Sequence, residues 1–419
     1  MQITFLDAVL FPTYFLLLFL AIFWMLVLFS PEQKPKRELK RKPKFSTIIP
    51  VFNEEKSVGG TLESLVNLRY PKELMEIVVV NDGSKDNTQQ IVEQFIATHP
   101  EDNIKLINQD NHGKGRAMNT GLAYISGEFF ACLDADSFIH SNALEAMLPL
   151  FADKQVGAVC PLMKVRNPQN TLQKVQWTEY IINMFYRFLN AKINCVHVTP
   201  GPFSVYRTKV IKDLGGFYEG TITEDLEIAI RLQSHHYKIL QTFDTIVETI
   251  SPETWKQAFR QRVRWYKGSV DNTIRYKKML FNKEYGDFGF LRMPAIILSG
   301  LIAIVLSIAL LQDLLKRVIQ YGAYLKEINF DILTLIKNFS PDINLLTLPY
   351  FKLLIAGTLI AISLFIMVKA FKLVQEKITN YGRTWVSLIT YLLVYSLFLS
   401  TVWMYIAYMF VRRKKNFWY

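Results

Sequence analysis

Two aspartates separated by a single residue are the feature of this chain that points most directly to chemistry. Asp134 and Asp136 follow the apolar run 129–133, which is typical of a buried strand. A strand that ends in this way delivers two carboxylates to the crevice at the edge of a parallel sheet. Such a pair suits a divalent cation that also binds a diphosphate, because Mg²⁺ prefers oxygen ligands and shares them with phosphates. A solvated loop gives the same pattern, so the metal-binding interpretation depends on the other polar motifs along the chain.

Polar residues also follow the two strands that precede this pair. Asp82, next to Gly83, comes after the β-branched run 76–80 and is placed to accept hydrogen bonds from a base or ribose. A simple Asx turn is the alternative for this segment. The first strand, 46–49, is followed by three residues that we expect to line the same crevice: Pro50, Asn53 and Glu54.

A basic, glycine-containing segment lies at the start of a predicted helix. Residues 111–116 carry Lys114 between two glycines, and a cation at a helix start suits a phosphate group. His112 has no partner histidine or cysteine at a metal-binding spacing, so we interpret it as a loop residue.

A second acidic group, Thr223-Glu224-Asp225, follows further along the chain. A fixed carboxylate can take the proton from a hydroxyl that attacks a sugar carbon. We expect Asp225 to do this, with Glu224 beside it. Acids after a threonine also mark a helix N-terminus, and both interpretations can hold together.

The segment 261–265 places several binding groups on one helix. Gln261, Arg264 and Trp265 are three and four residues apart and therefore share a face. That face offers an amide, a guanidinium for diphosphate and an indole on which a sugar can stack. Arg262 adds a second guanidinium. A basic surface helix without a catalytic role has a similar composition.

The pattern between residues 45 and 250 alternates short apolar strands with amphipathic helices. Helices are predicted at 57–67, at 115–125 and after Asp86, which can cap one. This alternation predicts an α/β domain with helices on both faces of the sheet. The segments 171–192 and 254–275 read as amphipathic helices at a membrane interface, with ordinary core helices as the alternative.

Four apolar runs make this chain a membrane protein. Of its 419 residues, 51% are hydrophobic and 20% are charged. Two of the runs, Ala8–Phe29 and Val386–Val411, are clearly long enough to cross a bilayer. The runs 295–311 and 353–368 are only just long enough. A cleaved signal peptide is the alternative for the first run, but that run lacks a basic n-region and a small-residue cleavage site.

The net charge of +12 is concentrated next to the first span, which argues against nucleic acid as a partner. By the positive-inside rule this cluster places the central domain in the cytosol, and it can also meet anionic lipid. Its members are Lys34, Lys36, Arg37, Lys40, Arg41, Lys42 and Lys44. A single last span would place the basic tail at 412–419 outside, against the same rule, so either one later apolar segment is re-entrant or the tail is an exception. Three cysteines without C-x-x-C spacing predict free thiols in the core: Cys132, Cys160 and Cys195.

Taken together and in this order, the motifs resemble those of the processive membrane branch of the family 2 glycosyltransferases. The poly-N-acetylglucosamine, hyaluronan and cellulose synthases form this branch. The motifs that carry the resemblance are N-D-G-S, D-A-D, T-E-D and Q-R-V-R-W, between residues 45 and 268. The resemblance implies a GT-A fold, a divalent metal (Mg²⁺ or Mn²⁺) and a nucleotide-sugar donor, usually UDP-linked.

The resemblance also implies roles for residues at matching positions. Asp82 would contact the uridine, Asp134 and Asp136 the nucleotide and metal, and Asp225 would be the base. Gln261, Arg264 and Trp265 would bind diphosphate and frame the acceptor site. The segment 201–207, with Gly201 and Phe203, matches the lining of the acceptor pocket.

The fold class expected is an α/β GT-A, Rossmann-like nucleotide-sugar-binding domain inserted between transmembrane helices, with amphipathic interface helices. We expect a transmembrane helix at 1–30, a basic linker at 31–44 and a cytosolic GT-A domain at 45–250. Interface helices at 251–292, a membrane region at 293–411 and the tail at 412–419 follow.

The expected activity is inverting transfer from a UDP-sugar to a growing β-linked polysaccharide at the cytosolic face of the cell membrane. Thr199-Pro200, where many relatives in the branch carry a serine, and the small number of spans put polymer extension in doubt. Transfer of one sugar to a lipid-linked acceptor is therefore an alternative, and an inactive glycan-binding scaffold is a second. The expected partners are the donor, a glycan or glycolipid acceptor and membrane lipids. The sequence leaves open whether an accessory subunit is needed.

Overall fold

The computed structural model describes residues 5–31, 39, 41–337, 350–382 and 384–412. Most of the predicted basic linker and tail therefore lies outside the described residues. The chain divides into two compact units. One comprises Met1–Phe29 and Leu298–Lys369, and the other comprises Ser30–Ile297 and Ala370–Tyr419. The candidate site lies in the second unit.

Eight strands form one sheet in the second unit. The strands are β1 (Phe45–Val51), β2 (Met75–Asp82), β3 (Ile104–Gln109), β4 (Phe129–Cys132), β5 (Ser137–Ile139), β6 (Val156–Val165), β7 (Ser204–Arg207) and β8 (Lys238–Thr249). Their order is β3-β2-β1-β4-β7-β6-β8-β5. Strands β3, β2, β1 and β4 are parallel, whereas β7 runs antiparallel to both β4 and β6. The carboxyl ends of β1, β2 and β4 therefore meet at one edge of the sheet.

Fourteen α-helices are described. They are α1 (Phe5–Phe29), α2 (Val58–Val66), α3 (Thr88–Thr98), α4 (Lys114–Tyr124), α5 (Ala143–Met147), α6 (Thr171–Lys192), α7 (Thr208–Asp213), α8 (Glu224–Ser234), α9 (Trp255–Arg275), α10 (Met293–Glu327), α11 (Ile332–Lys337), α12 (Tyr350–Leu373), α13 (Thr384–Thr390) and α14 (Ser396–Val411). Single π-helical segments occur at Phe288–Arg292 and Tyr391–Tyr395.

Both faces of the sheet are covered, as the alternating pattern predicted. Successive side chains of a strand point to opposite faces. Ile49 accordingly packs with Leu62 of α2 in one core cluster. Its neighbour Ile48 packs with Leu122 of α4 and Ile228 of α8 in the other. The result is a three-layer α/β domain whose two cores hold the sheet edge in place.

The predicted helices of this domain are confirmed to within a residue or two. Asp86, expected to cap a helix, lies one residue before the actual N-cap of α3, Asn87, and accepts a hydrogen bond from the Thr88 N–H at 3.1 Å. Helix α6 is buried along most of its length, as an ordinary core helix would be. Helix α9 begins at Trp255, directly after its N-cap Thr254, and leaves Trp255 and Ile274 exposed. The three cysteines are free and buried, as predicted.

Among the described residues, four helical segments are long and apolar enough to cross a membrane: Ala8–Phe29, Phe288–Glu327, Leu353–Leu373 and Val386–Val411. All four correspond to predicted runs. The second is 40 residues long and the third 21 residues long, so both extend beyond the short apolar runs visible in the sequence. The reason is that both helices continue into polar residues, which hydropathy alone does not count.

Candidate active site

Lys114 connects two of the predicted acidic motifs. Its Nζ lies 2.6 Å from Asp134 Oδ1 and 2.9 Å from Glu224 Oε1. Lys114 is the first residue of α4, Asp134 follows β4, and Glu224 is the first residue of α8. The fold thus brings together three residues that are far apart in the sequence.

The charges of this group stabilise one another. Burial disfavours the ammonium of Lys114, but the carboxylates of Asp134 and Glu224 outweigh that effect and raise its pKa above the ordinary value. Burial also acts against the carboxylate of Glu224. Lys114 and then Arg264 nevertheless hold the pKa of Glu224 below its ordinary value. Lys114 and Glu224 therefore stay charged at neutral pH.

Asp225 differs from the adjacent Glu224 in its charge environment. None of the ion pairs among the described residues includes it, and its Oδ1 accepts the Leu226 N–H at 2.8 Å. Burial, followed by the charge of Glu224, raises the pKa of Asp225 to about 6, although Lys114 and Arg264 oppose this. A carboxylate with a pKa near neutrality is suited to accept a proton. Of the two acids, Asp225 is thus the better base.

The backbone of Asp225 is held by the segment before β7. Its carbonyl oxygen accepts hydrogen bonds from Thr199 N at 3.2 Å and Thr199 Oγ1 at 2.8 Å. The Tyr206 hydroxyl donates in turn to Thr199 Oγ1 at 2.9 Å. Thr199, which looked like a departure from the family pattern, therefore positions the candidate base.

Asp136 is half-buried and lies near two other carboxylates. Burial, then Asp134 and Glu54, raise the pKa of Asp136 to about 6, and Ser137 Oγ donates to its Oδ1 at 3.0 Å. Such a site favours a positive charge. Within the described ranges no group of three or more His, Cys, Asp or Glu side chains could hold a metal. A cation at Asp134 and Asp136 would need further oxygens from a diphosphate and water, and Mg²⁺ accepts that ligand set.

The carboxylate of Asp82 is occupied by its own chain. It accepts hydrogen bonds from Gln109 Nε2 at 2.7 Å, His112 N at 3.0 Å and Gly113 N at 2.8 Å. Its residue is only 3% exposed. Asp82 therefore shapes the loop that leads to Lys114, and its contact with a base stays a prediction.

The predicted residues after β1 also hold loops together. Asn53 adopts φ +56°, donates its N–H to Ser84 Oγ at 3.0 Å and accepts the Lys85 N–H through Oδ1 at 2.8 Å. Glu54 accepts from Ser57 Oγ at 2.6 Å. Pro50 is part of β1. Contacts of these residues with a nucleotide stay predictions.

Gly201 and Phe203, predicted together, have different surroundings. A Cβ on Gly201 would lie 2.6 Å from Asp134 Oδ2 and 2.9 Å from Lys114 Nζ, so glycine permits a close approach. The Phe203 side chain is fully buried in the core, near the ring of Phe45. It cannot line an acceptor pocket from there, because the apolar core encloses it.

Helix α9 reaches the site through Arg264. This guanidinium acts electrostatically on Glu224 and Asp225, which places it near the start of α8. Gly268 packs one turn further on, where a Cβ would lie 2.3 Å from Thr223 Oγ1. A glycine inside a helix is a sequence sign of such close packing, but the predicted site did not include Gly268.

Arg262 was predicted to bind the donor diphosphate, but other side chains enclose it. It is 0% exposed, forms an ion pair with Glu179 of α6, and donates from Nε to the Tyr395 hydroxyl at 3.1 Å. The Tyr395 hydroxyl donates to Glu179 Oε2 at 2.8 Å. The guanidinium also covers the Trp265 ring, 4.1 Å from its centroid. We correct its role to that of joining α6, α9 and the last apolar helix, since these partners occupy it.

Comparisons with known proteins agree with this geometry. A family model described as glycosyl transferase family 2 matches residues 46–215. A probable glycosyltransferase of Bacillus subtilis, YdaM, is 31% identical over 299 residues, which are 65% of this chain and 68% of that protein. The chain belongs to glycosyl transferase family 2. The family predicted from the motifs is therefore confirmed, and the chain is a membrane glycosyltransferase.

Other relatives are similar over comparable lengths. A poly-beta-1,6-N-acetyl-D-glucosamine synthase of Staphylococcus epidermidis is 30% identical over 283 residues, 62% of this chain and 67% of the relative. A mannosyltransferase from Pyrobaculum calidifontis, solved in complex with GDP-Man and Mn2+, superposes with a TM-score of 0.62 at 19% identity. That match covers 93% of this chain and 98% of the other, and it confirms the predicted GT-A fold class.

Proposed function

We propose that this family 2 glycosyltransferase inverts the sugar of a UDP-linked donor and adds it to a growing β-linked glycan. The observation that carries the proposal is the pair of unlike acids at the start of α8. Glu224 is neutralised by Lys114, whereas Asp225 has no ion-pair partner among the described residues and a pKa raised to about 6. One carboxylate is thus structural and the other is free to act as a base.

The chemical step uses these groups in one displacement. Asp225 takes the proton of the acceptor hydroxyl. At the same time, the hydroxyl oxygen forms a bond with the anomeric carbon. The bond from that carbon to the diphosphate oxygen breaks on the opposite face, and UDP leaves with the electron pair. An α-linked donor therefore gives a β-linked product.

The leaving diphosphate carries charge that the site must offset. Arg264 lies near the start of α8 and can bind diphosphate oxygens through its planar fork of donors. Asp134 and Asp136 would hold a divalent cation, Mg²⁺ or Mn²⁺, which stabilises negative charge on the leaving group. Trp265, with Gln261, would frame the acceptor sugar.

Similarity to poly-beta-1,6-N-acetyl-D-glucosamine synthases supports a glycan acceptor. The UDP-linked donor follows from the resemblance of the motifs. The charge placement beside the first span supports a catalytic domain on the cytosolic side of the cell membrane. A second candidate is the transfer of one sugar to a lipid-linked acceptor. A cationic cluster beside Asp225, described below, favours that candidate.

The test is a donor screen with product analysis. Full-length protein in nanodiscs with Mg²⁺ is incubated with labelled UDP-GlcNAc, UDP-Glc, UDP-GlcA and GDP-Man, and nucleotide release is measured. We expect UDP release from one UDP-sugar and a β-anomeric product by NMR coupling. Polymer that resists lipid extraction supports the glycan acceptor, and a single glycolipid supports the second candidate. An α-linked product, or release of GDP alone, would contradict the proposal.

A further inference from the structure

Three side chains outside the groups assigned so far form a second polar cluster in the same unit. Arg292 Nη2 lies 2.6 Å from His197 Nε2, and both Arg187 and Arg292 act electrostatically on His197. Arg187 belongs to α6, His197 to the segment that leads to β7, and Arg292 to the helical turn before α10. Three separate elements therefore converge on one place. We call these residues the Arg-His-Arg cluster.

The cluster carries two positive charges that form no ion pair with any other described residue. Burial, then Arg292 and Arg187, hold the pKa of His197 well below its ordinary value, so the imidazole is neutral. A neutral Nε2 can accept the hydrogen bond from Arg292. Of the ion pairs between described residues, none includes Arg187 or Arg292. The nearby thiol of Cys195 is no counterion, because burial raises its pKa to about 12.

Donor groups of both arginines lack acceptors. Arg187 Nη1 and Arg292 Nε are buried and have no hydrogen-bond partner among the described residues. Burying a charged donor without an acceptor is unfavourable, and proteins normally avoid it. The buried Arg262, by contrast, is satisfied by Glu179 and Tyr395. An anion that accepts hydrogen bonds from these two groups would complete the Arg-His-Arg cluster.

The position of the Arg-His-Arg cluster indicates which kind of anion it would bind. Asp225 acts electrostatically on Arg187, which places one end of the cluster near the candidate base. At the other end, Arg292 directly precedes α10, within the candidate span Phe288–Glu327. An anion between these ends would lie close to both the acceptor hydroxyl and the membrane boundary.

We propose that Arg187, His197 and Arg292 bind the phosphate group that joins the acceptor sugar to its lipid. Guanidinium groups match phosphate oxygens with paired, charge-assisted hydrogen bonds. The inference rests on the second candidate of the proposed function, a lipid-linked acceptor, and on Asp225 as the base next to which that acceptor binds. Free inorganic phosphate is the other source of the same group, and the test separates the two.

The test measures binding and does not depend on turnover. Full-length protein in nanodiscs of neutral lipid is titrated with farnesyl phosphate, farnesol and inorganic phosphate, and affinities are measured by calorimetry. We expect farnesyl phosphate to bind at least about 10-fold more tightly than farnesol, as a charge-assisted pair of hydrogen bonds contributes. Inorganic phosphate that binds as tightly as farnesyl phosphate would assign the site to free phosphate. Farnesyl phosphate that binds no better than farnesol would overturn the proposal.

Variants tie the binding to the cluster. Arg187→Gln and Arg292→Gln should each weaken farnesyl phosphate binding about 10-fold or more and leave farnesol binding unchanged. Arg187→Lys keeps the charge but loses the planar fork, so we expect a smaller loss and a variant that folds. Arg69→Gln, at an exposed arginine of the same domain, is the matched control. Unchanged affinity in both glutamine variants would refute the assignment.

Two further outcomes separate this proposal from the others. If Arg187→Gln weakens UDP binding as much as farnesyl phosphate binding, the cluster belongs to the donor site and the proposal is wrong. A protein that releases UDP from a UDP-sugar but ignores the phosphate of farnesyl phosphate would keep the proposed function and lose the phosphate site.

Discussion

The backbone of Gly201 lies directly against the carboxylate of Asp134. A Cβ built on Gly201 would be 2.6 Å from Oδ2 and 2.8 Å from Oδ1 of that carboxylate. The same carboxylate pairs with Lys114 at 2.6 Å. The segment before β7 therefore limits the space around the aspartate that follows β4, and small changes at Gly201 act directly on the site.

Replacing Gly201 by alanine should remove activity and leave the fold intact. The atoms that the new methyl group meets are the ends of the Asp134 and Lys114 side chains, which can move. Their displacement disturbs the geometry on which catalysis depends, so we expect kcat to fall by about 100-fold. Nucleotide release and the thermal unfolding midpoint are measured together. Gly59→Ala, where a Cβ would meet only Ile91 at 3.7 Å, is the control and should stay active.

Replacing Asp225 by asparagine should abolish transfer without abolishing donor binding. Loss of a general base typically costs about 10²–10⁴-fold in rate. UDP affinity should remain within a few-fold of the original, because Lys114, Asp134 and Arg264 are unchanged. Asp213→Asn, at an exposed aspartate of the same domain, serves as the control. Full transfer activity in Asp225→Asn would show that another group is the base.

The pH dependence of transfer should report the raised pKa of Asp225. A base must be deprotonated to act, so kcat/KM should be at its plateau above the pKa of about 6. Below that pH it should fall about 10-fold per unit. Asp136 titrates in the same range. The pH profile is therefore measured at limiting and at saturating Mg²⁺. A fall in rate caused by protonation of Asp136 should shift to lower pH at saturating Mg²⁺, whereas a fall caused by protonation of Asp225 should not shift. A rate that does not change between pH 5 and 8 would contradict the base assignment.

Removal of divalent metal should stop turnover. Asp134 and Asp136 lie side by side with a raised pKa on Asp136, and a cation would relieve that repulsion. We expect EDTA to reduce UDP release to background and Mg²⁺ or Mn²⁺ to restore it. Asp136→Asn should raise the metal concentration needed for half-maximal activity by about 10-fold or more. Full activity in EDTA would rule out the metal role of both residues.

Replacing Arg262 should affect stability, in contrast to Arg264. Arg262→Met leaves Glu179 buried without its partner, which typically destabilises a protein by about 3–5 kcal/mol. The double variant Arg262→Met, Glu179→Met should recover part of this loss, because neither charge remains. The unfolding midpoint and the KM for the donor are measured in both. Arg264→Met is the comparison and should weaken donor use with little change in stability. A raised KM with unchanged stability in Arg262→Met would restore Arg262 to the diphosphate site.

The sequence alone predicted the architecture and named the main candidate acids, whose roles stay predictions. β-branched runs followed by polar turns predicted β1, β2 and β4, because buried parallel strands need continuous apolar side chains. Apolar length predicted four spans, because the bilayer core requires about 20 apolar residues. Short motifs identified Asp134, Asp136 and Asp225, since metal binding and proton transfer need carboxylates at strand ends and helix starts.

Only the tertiary structure decided what each charged residue contacts. Arg262 and Arg264 are two positions apart in one helix, yet one is enclosed by Glu179 and Tyr395 and the other lies near Glu224 and Asp225. Glu224 and Asp225 are adjacent, yet Lys114 neutralises only the first. Spacing along a chain determines which residues share a face of a helix. Partners from distant segments determine burial and charge, and these contacts exist only once the chain is folded.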